Sequence, residues 1–308
     1  MSVIGIDTSN YTTSIAYFDG ENGVNCSRLL PVKPGELGLR QSDAVFAHTK
    51  SLPDLSGRLF SNAEVGKITA VGVSTRPRAV EGSYMPCFMV GYSHAKLLSD
   101  ALGVPLIEVS HQQGHVAASL WSAGHLELMD KPHLAWHLSG GTTELLLVEP
   151  EGKNVKCTKI GGTTDISAGQ LIDRTGVMLD LPFPAGKHVD ALSKEAVLKE
   201  TFKVKCPGME FSLSGVQNKV QQFHQKNGIP AETAAFALRC VASAVYQATQ
   251  NALKAYPGLK VVFSGGVASN SMLREVIAPL SPIFCEPQYS TDNAMGVAVL
   301  TDRYTQEG

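Results

Sequence analysis

Two histidines, His111 and His115, stand four positions apart in a segment that also carries two glutamines. On a helix, residues four apart lie on one face, which lets two imidazoles bind one metal ion. Zinc proteases use the same spacing, but a glutamate follows their first histidine and serves as general base. Here that residue is Gln112, which cannot accept a proton from water. The pair predicts a metal site without the protease's base, and the alternative is a solvated helix face.

Two glycine-containing turns give the second chemical signal. The first spans Ser139–Thr143 and the second spans Ser264–Asn270, and each follows a predicted strand. Paired glycines let the backbone approach a ligand closely, and flanking hydroxyls or a following helix N-terminus suit a phosphate. Neither turn has the spacing of a Walker loop or of a dinucleotide fingerprint. Each alone is typical of a tight turn, and the two together indicate a nucleotide site.

The elements that must position these residues alternate between strand and helix patterns. A strand, a hydroxyl-rich turn and a returning strand occupy 3–18, and the same plan recurs at 134–148, which indicates a duplicated lobe. Periodicity predicts further strands at 68–74, 105–109 and 260–263, and helices at 89–102, 234–256, 271–280 and 293–304. We expect lobes at 1–132 and 133–308, with the last helix packing back on the first lobe.

Composition disfavours several classes of protein. No stretch approaches the roughly 18 apolar residues of a membrane span, and no charged segment precedes an apolar core at the start, so we expect a cytoplasmic protein without membrane contact. Six scattered cysteines without a Cys-x-x-Cys pair fit reduced thiols. The formal net charge of −2 argues against a protein that coats nucleic acid unaided.

The motifs of the chain resemble those of the actin-like ATPase superfamily. Within it, the chain resembles the tRNA threonylcarbamoyladenosine transferases, the TsaD-like proteins formerly called glycoproteases or O-sialoglycoprotein endopeptidases. The matching motifs follow the family's order along nearly the whole chain: Gly5–Ser9, His111–His115, Ser139–Thr143, Asp165–Asp173, Phe211–Gly215, Ser264–Ser271 and Ser290–Ala294. The resemblance implies an α/β, two-lobed actin-like ATPase (ASKHA) fold, with duplicated ribonuclease-H-like lobes around a nucleotide and metal cleft.

The resemblance also implies the residues of a site. One divalent ion, iron or zinc, would be bound by His111, His115 and Asp292, two imidazoles and a carboxylate from opposite lobes. Asp7 and Ser9 would be catalytic. An adenine nucleotide (ATP, ADP or an acyl-adenylate) would be contacted by Ser139, Gly140, Gly141, Thr143, Asp173, Gly186, Gly265, Gly266 and Asn270.

Two of these carboxylates have alternatives. Asp292 opens the predicted last helix and would also fit a plain helix N-cap. Asp173 would also fit an aspartate that caps a turn. Asp165 belongs to the same acidic loop as Asp173 and is the weaker candidate for ligand contact.

The implied activity is transfer of a threonylcarbamoyl-type group from an acyl-adenylate to an acceptor amine, with tRNA adenosine as the family's acceptor. The alternative is a nucleotide- and metal-binding paralogue without turnover, acting as a regulator or scaffold. The histidine pair disfavours a sugar kinase, and Gln112 disfavours a metalloprotease. Contact with tRNA would pass through partner proteins, because the sequence has no aromatic-rich basic stretch. A homodimer, a heterodimer with a TsaB-like protein and a monomer all stay open.

Several departures from the family pattern bear on catalysis. Tyr11 and Thr12 stand where the family has two acidic residues, and neither can replace a carboxylate as a base. The segment Thr75–Gly82 replaces a Gly-Pro-Gly turn and brings two arginines, which could bind phosphate or carboxylate or form a solvated loop. Thr142 replaces a histidine, and Ile166 replaces an aspartate. The sequence therefore predicts a divergent member that keeps its metal and nucleotide residues and has a changed catalytic edge.

Overall fold

The chain forms two compact units. The structure is a computed structural model that describes residues 2–31, 39–62, 66–197 and 200–306. The first unit contains Met1–Lys131, Glu149–Cys157 and Asp292–Gly308, and the second contains Pro132–Val148 and Thr158–Thr291. Two segments from beyond residue 132, one of them carrying the last helix, therefore belong to the first unit.

Each unit is built on a mixed sheet. The first sheet has the order β3-β2-β1-β4-β5, and the second has the order β11-β10-β6-β7-β8-β9. The strands are β1 (Ser2–Thr8), β2 (Thr12–Phe18), β3 (Gly23–Leu29), β4 (Ile68–Arg76), β5 (Leu106–Ser110), β6 (His133–Leu138), β7 (Thr143–Glu151), β8 (Asn154–Thr163), β9 (Glu210–Phe211), β10 (Val261–Ser264) and β11 (Ile283–Phe284). The helices are α1 (Gln41–Asn62), α2 (Phe88–Leu102), α3 (His111–Ser122), α4 (Ala168–Met178), α5 (Gly186–Ser193), α6 (Ser214–Asn227), α7 (Pro230–Ala255), α8 (Ser271–Ile277) and α9 (Met295–Thr305).

The two sheets repeat one topology. In the first, β1 pairs antiparallel with β2 and parallel with β4, and β5 extends the parallel side. In the second, β6 pairs antiparallel with β7 and parallel with β10, and β11 extends the parallel side. Since β6, β7, β8, β10 and β11 take the places of β1 to β5, the repeat confirms the duplication predicted from the two hairpins, and β9 is an addition at one edge.

Each sheet has its own apolar core. Ile4, Ile6, Val71 and Val73 of the first sheet are buried against apolar residues of α1 and α2. In the second unit, the largest cluster joins β6, β7 and β10 to the long helix α7. Strands β1 and β2 are buried along their full length, which holds the turn between them in a fixed place. None of the described helices is long and apolar enough to cross a membrane.

Candidate metal centre and nucleotide turns

The three predicted metal ligands come together. Nε2 of His115 lies 3.0 Å from Nε2 of His111 and 3.2 Å from Oδ1 of Asp292. Nε2 of His111 lies 3.6 Å from the same carboxylate oxygen. Atoms that share one ion at about 2.0–2.2 Å lie roughly 3–3.5 Å apart, so these separations fit a single ion. The donor set of two imidazoles and a carboxylate suits zinc or iron equally.

All three predicted ligands belong to the first unit. Asp292 groups with the histidines, so the expectation that they come from opposite lobes is wrong. The alternative of Asp292 as a helix N-cap is also wrong, because α9 begins at Met295 with Ala294 in the cap position. Freed from a capping role, the Asp292 carboxylate is directed at the imidazoles.

A capping box fixes the turn of helix that carries the histidines. Ser110 is the N-cap of α3, and its hydroxyl accepts a hydrogen bond from the backbone N–H of Gln113. The Gln113 side chain accepts in return from the backbone N–H of Ser110 at 2.9 Å. This Ser-x-x-Gln pattern satisfies two orphan donors and places His111 at the first helical position, one turn ahead of His115.

A pair of glycines lets α9 approach α3. A Cβ added at Gly296 would overlap the backbone carbonyl of Gly114, so only glycine permits this contact. Gly114 immediately precedes His115, and Gly296 follows Asp292 by four residues. The close approach of the two helices therefore brings the third ligand to the histidine pair.

Asp7 lies behind His111 and orients its ring. The carboxylate is fully buried, and its Oδ1 lies 3.1 Å from Nδ1 of His111. When Nδ1 donates its proton to Asp7, Nε2 keeps a lone pair directed at the other ligands, as metal-binding histidines require. The hydroxyl of Ser74 donates to the same oxygen, while Oδ2 of Asp7 is buried without a hydrogen-bond partner among the described residues. The arrangement therefore fits a bound cation.

The second predicted catalytic residue, Ser9, also touches a metal ligand. Its hydroxyl donates to Oδ2 of Asp292 at 3.2 Å. Oδ1 of Asp292 therefore faces the histidines, while Oδ2 accepts from Ser9. Burial opposes ionisation of Asp292, but bonds and charges from both histidines hold the pKa of its carboxyl well below the usual range. Burial also lowers the pKa of His111, yet the Asp7 and Asp292 charges raise it overall, to about 10. The same two negative charges favour a cation between the imidazoles.

A buried histidine that the sequence did not single out lies under the same turn. His48 of α1 is fully buried, and its Nδ1 lies 2.8 Å from the hydroxyl of Thr13. Burial lowers the pKa of His48, while the charge of Asp7 and the backbone carbonyl of Ser9 act in the opposite direction. His48 thus supports the β1–β2 turn from the side of the helix.

The two glycine turns meet at one edge of the second sheet. Strands β6 and β10 are parallel neighbours, so the turns that follow them lie side by side. Gly265 has φ 91° and ψ 156°, and an added Cβ there would overlap the carbonyl of Leu138, directly before Ser139. Around Gly140, Gly141 and Gly266 an added Cβ would meet open space. This edge therefore presents exposed backbone at a position where open α/β sheets bind ligands.

Hydrogen bonds hold the β6–β7 turn in shape. The backbone N–H of Ser139 donates to the Thr142 carbonyl at 2.8 Å, and the Thr142 N–H donates to the Ser139 hydroxyl at 3.0 Å. Thr143 is buried, and its hydroxyl accepts from the N–H of Ala168 at 2.8 Å. Thr143 therefore ties the start of α4 to the turn, whereas Gly140 and Gly141 face outward.

The remaining predicted nucleotide residues are linked through α5. Oδ1 of Asp173 accepts from the backbone N–H of Ala185, the residue before Gly186. Burial raises the pKa of Asp173, with that bond acting in the opposite direction. The side-chain amide of Asn270 donates to Asp190 of α5 at 2.8 Å. Asp190, which the sequence did not single out, thereby connects α5 to the start of α8.

Asp165 has a structural task. Its Oδ1 accepts from the backbone N–H groups of Leu213 and Ser214 at the start of α6, and Ser212 donates its hydroxyl to Oδ2. Burial raises its pKa, but these donors outweigh burial and bring the pKa to about 2. The carboxylate therefore caps a helix that has no cap of its own at Leu213.

Comparison with known proteins identifies the family to which the chain belongs. The family model of TsaD, tRNA N6-adenosine threonylcarbamoyltransferase, matches residues 37–299. The chain belongs to the TsaD family. The tRNA N6-adenosine threonylcarbamoyltransferase of Carboxydothermus hydrogenoformans is 33% identical over 96% of this chain and 90% of its own length. That of Thermosipho africanus is 31% identical over 100% and 96%. This TsaD-family chain is accordingly a transferase of the tRNA-processing class.

Solved structures share its fold. Full-length HypF in the phosphate- and nucleotide-bound form matches with a TM-score of 0.61 and 15% identity, covering 100% of this chain and 47% of HypF. The ROK hexokinase of Thermus thermophilus matches with a TM-score of 0.53 and 14% identity over 100% of both chains. At these identities the likeness concerns the fold alone, and it confirms the predicted actin-like ATPase fold.

The departures from the TsaD pattern lie at the edges of these sites. Tyr11 is 39% exposed at the tip of the β1–β2 turn, whereas Thr12 is buried in β2. Thr142 lies in the β6–β7 turn, and Ile166 lies beside the Asp165 carboxylate, which accepts from the Ile166 N–H. The predicted ligand residues are therefore present in this TsaD-family chain, and the changes concern groups around them.

Proposed function

We propose that this chain transfers a threonylcarbamoyl group from an acyl-adenylate to the N6 amine of a tRNA adenosine, with a divalent ion held by His111, His115 and Asp292. The observation that carries the proposal is the convergence of three ligand atoms within 4.8 Å, with Asp7 fixing the ring of His111 from behind. A scaffold without turnover has little need for a buried carboxylate that orients an imidazole. The catalytic alternative is therefore preferred to the regulatory one.

Two side chains of the first unit are proposed to position the metal ligands. Asp7 holds the Nδ1 proton of His111, and Ser9 holds the oxygen of Asp292 that does not face the histidines. When bound, a divalent ion at this place would act as a Lewis acid toward the carbonyl of the donor. Asp7 and Ser9 are thus proposed to act through the ligands, as positioning residues.

The proposed transfer needs no redox partner. The N6 nitrogen attacks the carbamoyl carbon, a C–N bond forms, and the C–O bond to the phosphate breaks so that AMP leaves with the electron pair. Because Tyr11 and Thr12 replace two acidic residues, no carboxylate at the turn tip takes the amine proton. That proton is proposed to pass to the departing phosphate or to water.

The second unit is proposed to bind the adenylate. The exposed backbone at Gly140, Gly141 and Gly266 suits phosphate oxygens, as paired glycines beside a helix N-terminus do elsewhere. The second oxygen of Asp173 has no hydrogen bond within the described residues and would suit a ribose hydroxyl. Support also comes from HypF, which shares the fold and whose structure is described as nucleotide-bound.

Metal analysis combined with single-turnover transfer tests the proposal. Wild type, the double variant H111A/H115A, D292N and the control H125A would be purified and analysed for zinc and iron, then mixed with threonylcarbamoyl-adenylate and unmodified tRNA. His125 is an apt control because it pairs with Glu127, outside the cluster. We expect about one ion and transfer in wild type and H125A, with both lost in the ligand variants. A metal-free wild type, or transfer that survives in H111A/H115A, would overturn the proposal.

A partner chain and a cytoplasmic location remain part of the proposal. Exposed apolar residues on α1 and α2, among them Phe46, Phe60, Met89 and Leu97, support a protein interface there. A second copy and a TsaB-like protein are the two partners proposed. Light scattering of the chain alone and of its mixture with a TsaB-like protein distinguishes the monomer, the homodimer and the heterodimer.

A further inference from the structure

The segment between β4 and α2 begins beside the candidate metal centre. Arg76 ends β4 and pairs in register with Ser110, the residue immediately before His111. On the other side of His111, the backbone N–H of Gln112 donates to the Pro77 carbonyl at 3.0 Å. The start of the segment is thus tied to both chain neighbours of a proposed metal ligand.

The other end of the segment is anchored as well. Cys87 and Phe88 belong to a small buried cluster, with Met85 packed against it. The ring of Phe88 lies 6.1 Å from the ring of His111, centroid to centroid. Between the anchors, the N–H of Arg78 donates to the Ser83 hydroxyl at 3.0 Å, so the loop closes on itself. The segment is held at a fixed distance from the metal centre.

The side chains that this loop displays are cationic and aromatic. Arg76 and Arg78 are exposed, and Tyr84 is 64% exposed. Within the described part of the chain, no ion pair or hydrogen bond engages the Arg76 guanidinium. Glu81 is the one acidic residue of 75–85, so two arginines minus one glutamate give a net charge of +1, against −2 for the whole chain.

These properties favour an RNA strand over a small anion. An exposed ion pair contributes about 0–1 kcal/mol, so exposed arginines hold a small carboxylate weakly. A polyanion gains at each phosphate through release of counterions, and an exposed aromatic ring can stack on an unpaired base. Two guanidiniums and one phenol on a fixed loop match that combination.

We propose that Arg76, Arg78 and Tyr84 form an acceptor-RNA contact surface, with the arginines bound to backbone phosphates and Tyr84 stacked on an unpaired base. The proposal deepens the proposed function and rests on it, because it gives the acceptor a place beside the metal centre. It also revises the expectation that RNA contact passes entirely through partner proteins. The three residues are too widely interleaved with apolar and small residues to form a basic aromatic run in the sequence.

The first test is the salt dependence of RNA binding. Fluorescence anisotropy of a labelled, unmodified tRNA transcript would be measured against wild type and R76A/R78A over a series of salt concentrations. Loss of two phosphate contacts should lower the slope of log affinity against log salt by about 1.5–2 and weaken low-salt binding about ten-fold or more. The control R58A/K67A removes two other exposed charges of the first unit and should leave most of the slope unchanged.

The second test concerns the stacking residue. Y84A should weaken binding of the same transcript about ten-fold, because one base–aromatic stack is lost. Y84F keeps the ring and should bind like wild type. Equal losses in Y84A and Y84F, or no loss in Y84A, would count against the stack.

Kinetics separate this inference from the proposed function. In single-turnover transfer, R76A/R78A should raise the RNA concentration needed for half-maximal rate while keeping the rate at saturating RNA, with metal content and adenylate affinity unchanged. Loss of adenylate affinity with retained RNA binding would assign the arginines to the donor and overturn the proposal. An equal loss in R58A/K67A, or a wild type that fails to bind the transcript at low salt, would overturn it too. If the metal-dependent transfer failed, the RNA-binding experiments could still be interpreted, because they do not require transfer.

Discussion

The turn between β1 and β2 and the turn between β6 and β7 occupy equivalent places in two sheets of the same strand order. The first is surrounded by titratable side chains: Asp7 contacts His111, Ser9 contacts Asp292, and His48 lies beneath. The second presents mainly backbone at Gly140 and Gly141. The same arrangement of strands and turn thus carries a proposed cation site in one unit and a proposed oxyanion site in the other.

The difference shows how the two copies diverged without losing the fold. Each turn is fixed from outside, by His48 in the first unit and by the start of α4 in the second, so its own residues could change. Side chains that bind a cation need precise ring orientation, which buried carboxylates supply. Backbone that binds an oxyanion needs the absence of side chains, which glycine supplies.

The largest effect is expected where the second turn depends on glycine. Gly265 adopts a backbone conformation open essentially to glycine alone, and an alanine there would also overlap the Leu138 carbonyl. We expect G265A to lower the free energy of unfolding by about 2–4 kcal/mol and to abolish nucleotide binding. Urea unfolding and titration with a fluorescent ATP analogue measure both.

The neighbouring glycine supplies the control. An added Cβ at Gly266 meets open space, so G266A should stay within about 0.5 kcal/mol of wild type, as substitutions away from packed features usually do. If G265A and G266A were equally stable, the close approach of the two turns would have no energetic role.

The next largest effect is expected from a change that removes the carboxylate orienting His111. D7N removes the buried charge that holds the Nδ1 proton of His111, and the loss of such a support typically lowers metal affinity 10–100-fold. Competition with a chelator of known affinity measures the change, and nucleotide affinity should be unaffected. D100N, which removes an exposed charge paired with Lys96, is the matched control. Unchanged metal affinity in D7N would mean that His111 is oriented by other contacts.

Sequence reasoning found the groups that local patterns reveal. The four-residue spacing of His111 and His115 needs only a helix, and the strands of both hairpins need only apolar runs, so both could be predicted. The role of Ser74 could not, because Ser74 reaches Asp7 through the parallel pairing of β1 and β4. Nothing in a single sequence gives that register.

One further failure, at helix α1, has a local physical cause. Helix α1 carries Pro53 in its interior, a residue that normally ends a helix, so the helix and its His48 escaped prediction. Asp165 and Asp173 are alike in sequence, yet the first accepts several donors at a helix start and the second accepts one from a loop. A carboxylate that caps and one that binds a ligand differ only in partners that the fold brings from elsewhere.

A smaller effect is expected at the histidine beneath the first turn. H48L leaves the Thr13 hydroxyl without its partner and should cost about 1–2 kcal/mol at pH 7, with less change in metal affinity than D7N. H48N keeps a polar atom near the position of Nδ1 and should recover part of that loss. Urea midpoints of the variants at pH 7 measure both.

The pH dependence of stability tests whether His48 causes part of the loss of stability in acid. Burial lowers the pKa of His48 in the folded protein, so below its ordinary value of 6.5 the unfolded chain binds a proton that the folded chain does not. Wild-type stability should therefore fall as the pH drops below 6.5, and H48L should lose that component. Parallel stability curves for wild type and H48L between pH 7 and 5 would contradict this assignment.

The smallest effect is expected at Asp165. It separates a carboxylate that caps helix α6 from the glycine backbone that is proposed to bind the nucleotide in the same unit. D165N weakens the cap of α6 and should cost about 1 kcal/mol at pH 7, since solvent screens this exposed carboxylate. Its folded pKa of about 2 lies below the ordinary 3.8, so the stabilisation is complete above about pH 4 and disappears as the pH falls through 2. Wild type and D165N should therefore converge in acid while nucleotide affinity at pH 7 stays equal. If D165N instead lost nucleotide affinity at unchanged stability, Asp165 would contact the nucleotide. The acidic loop and the glycine turn would then both form the nucleotide site.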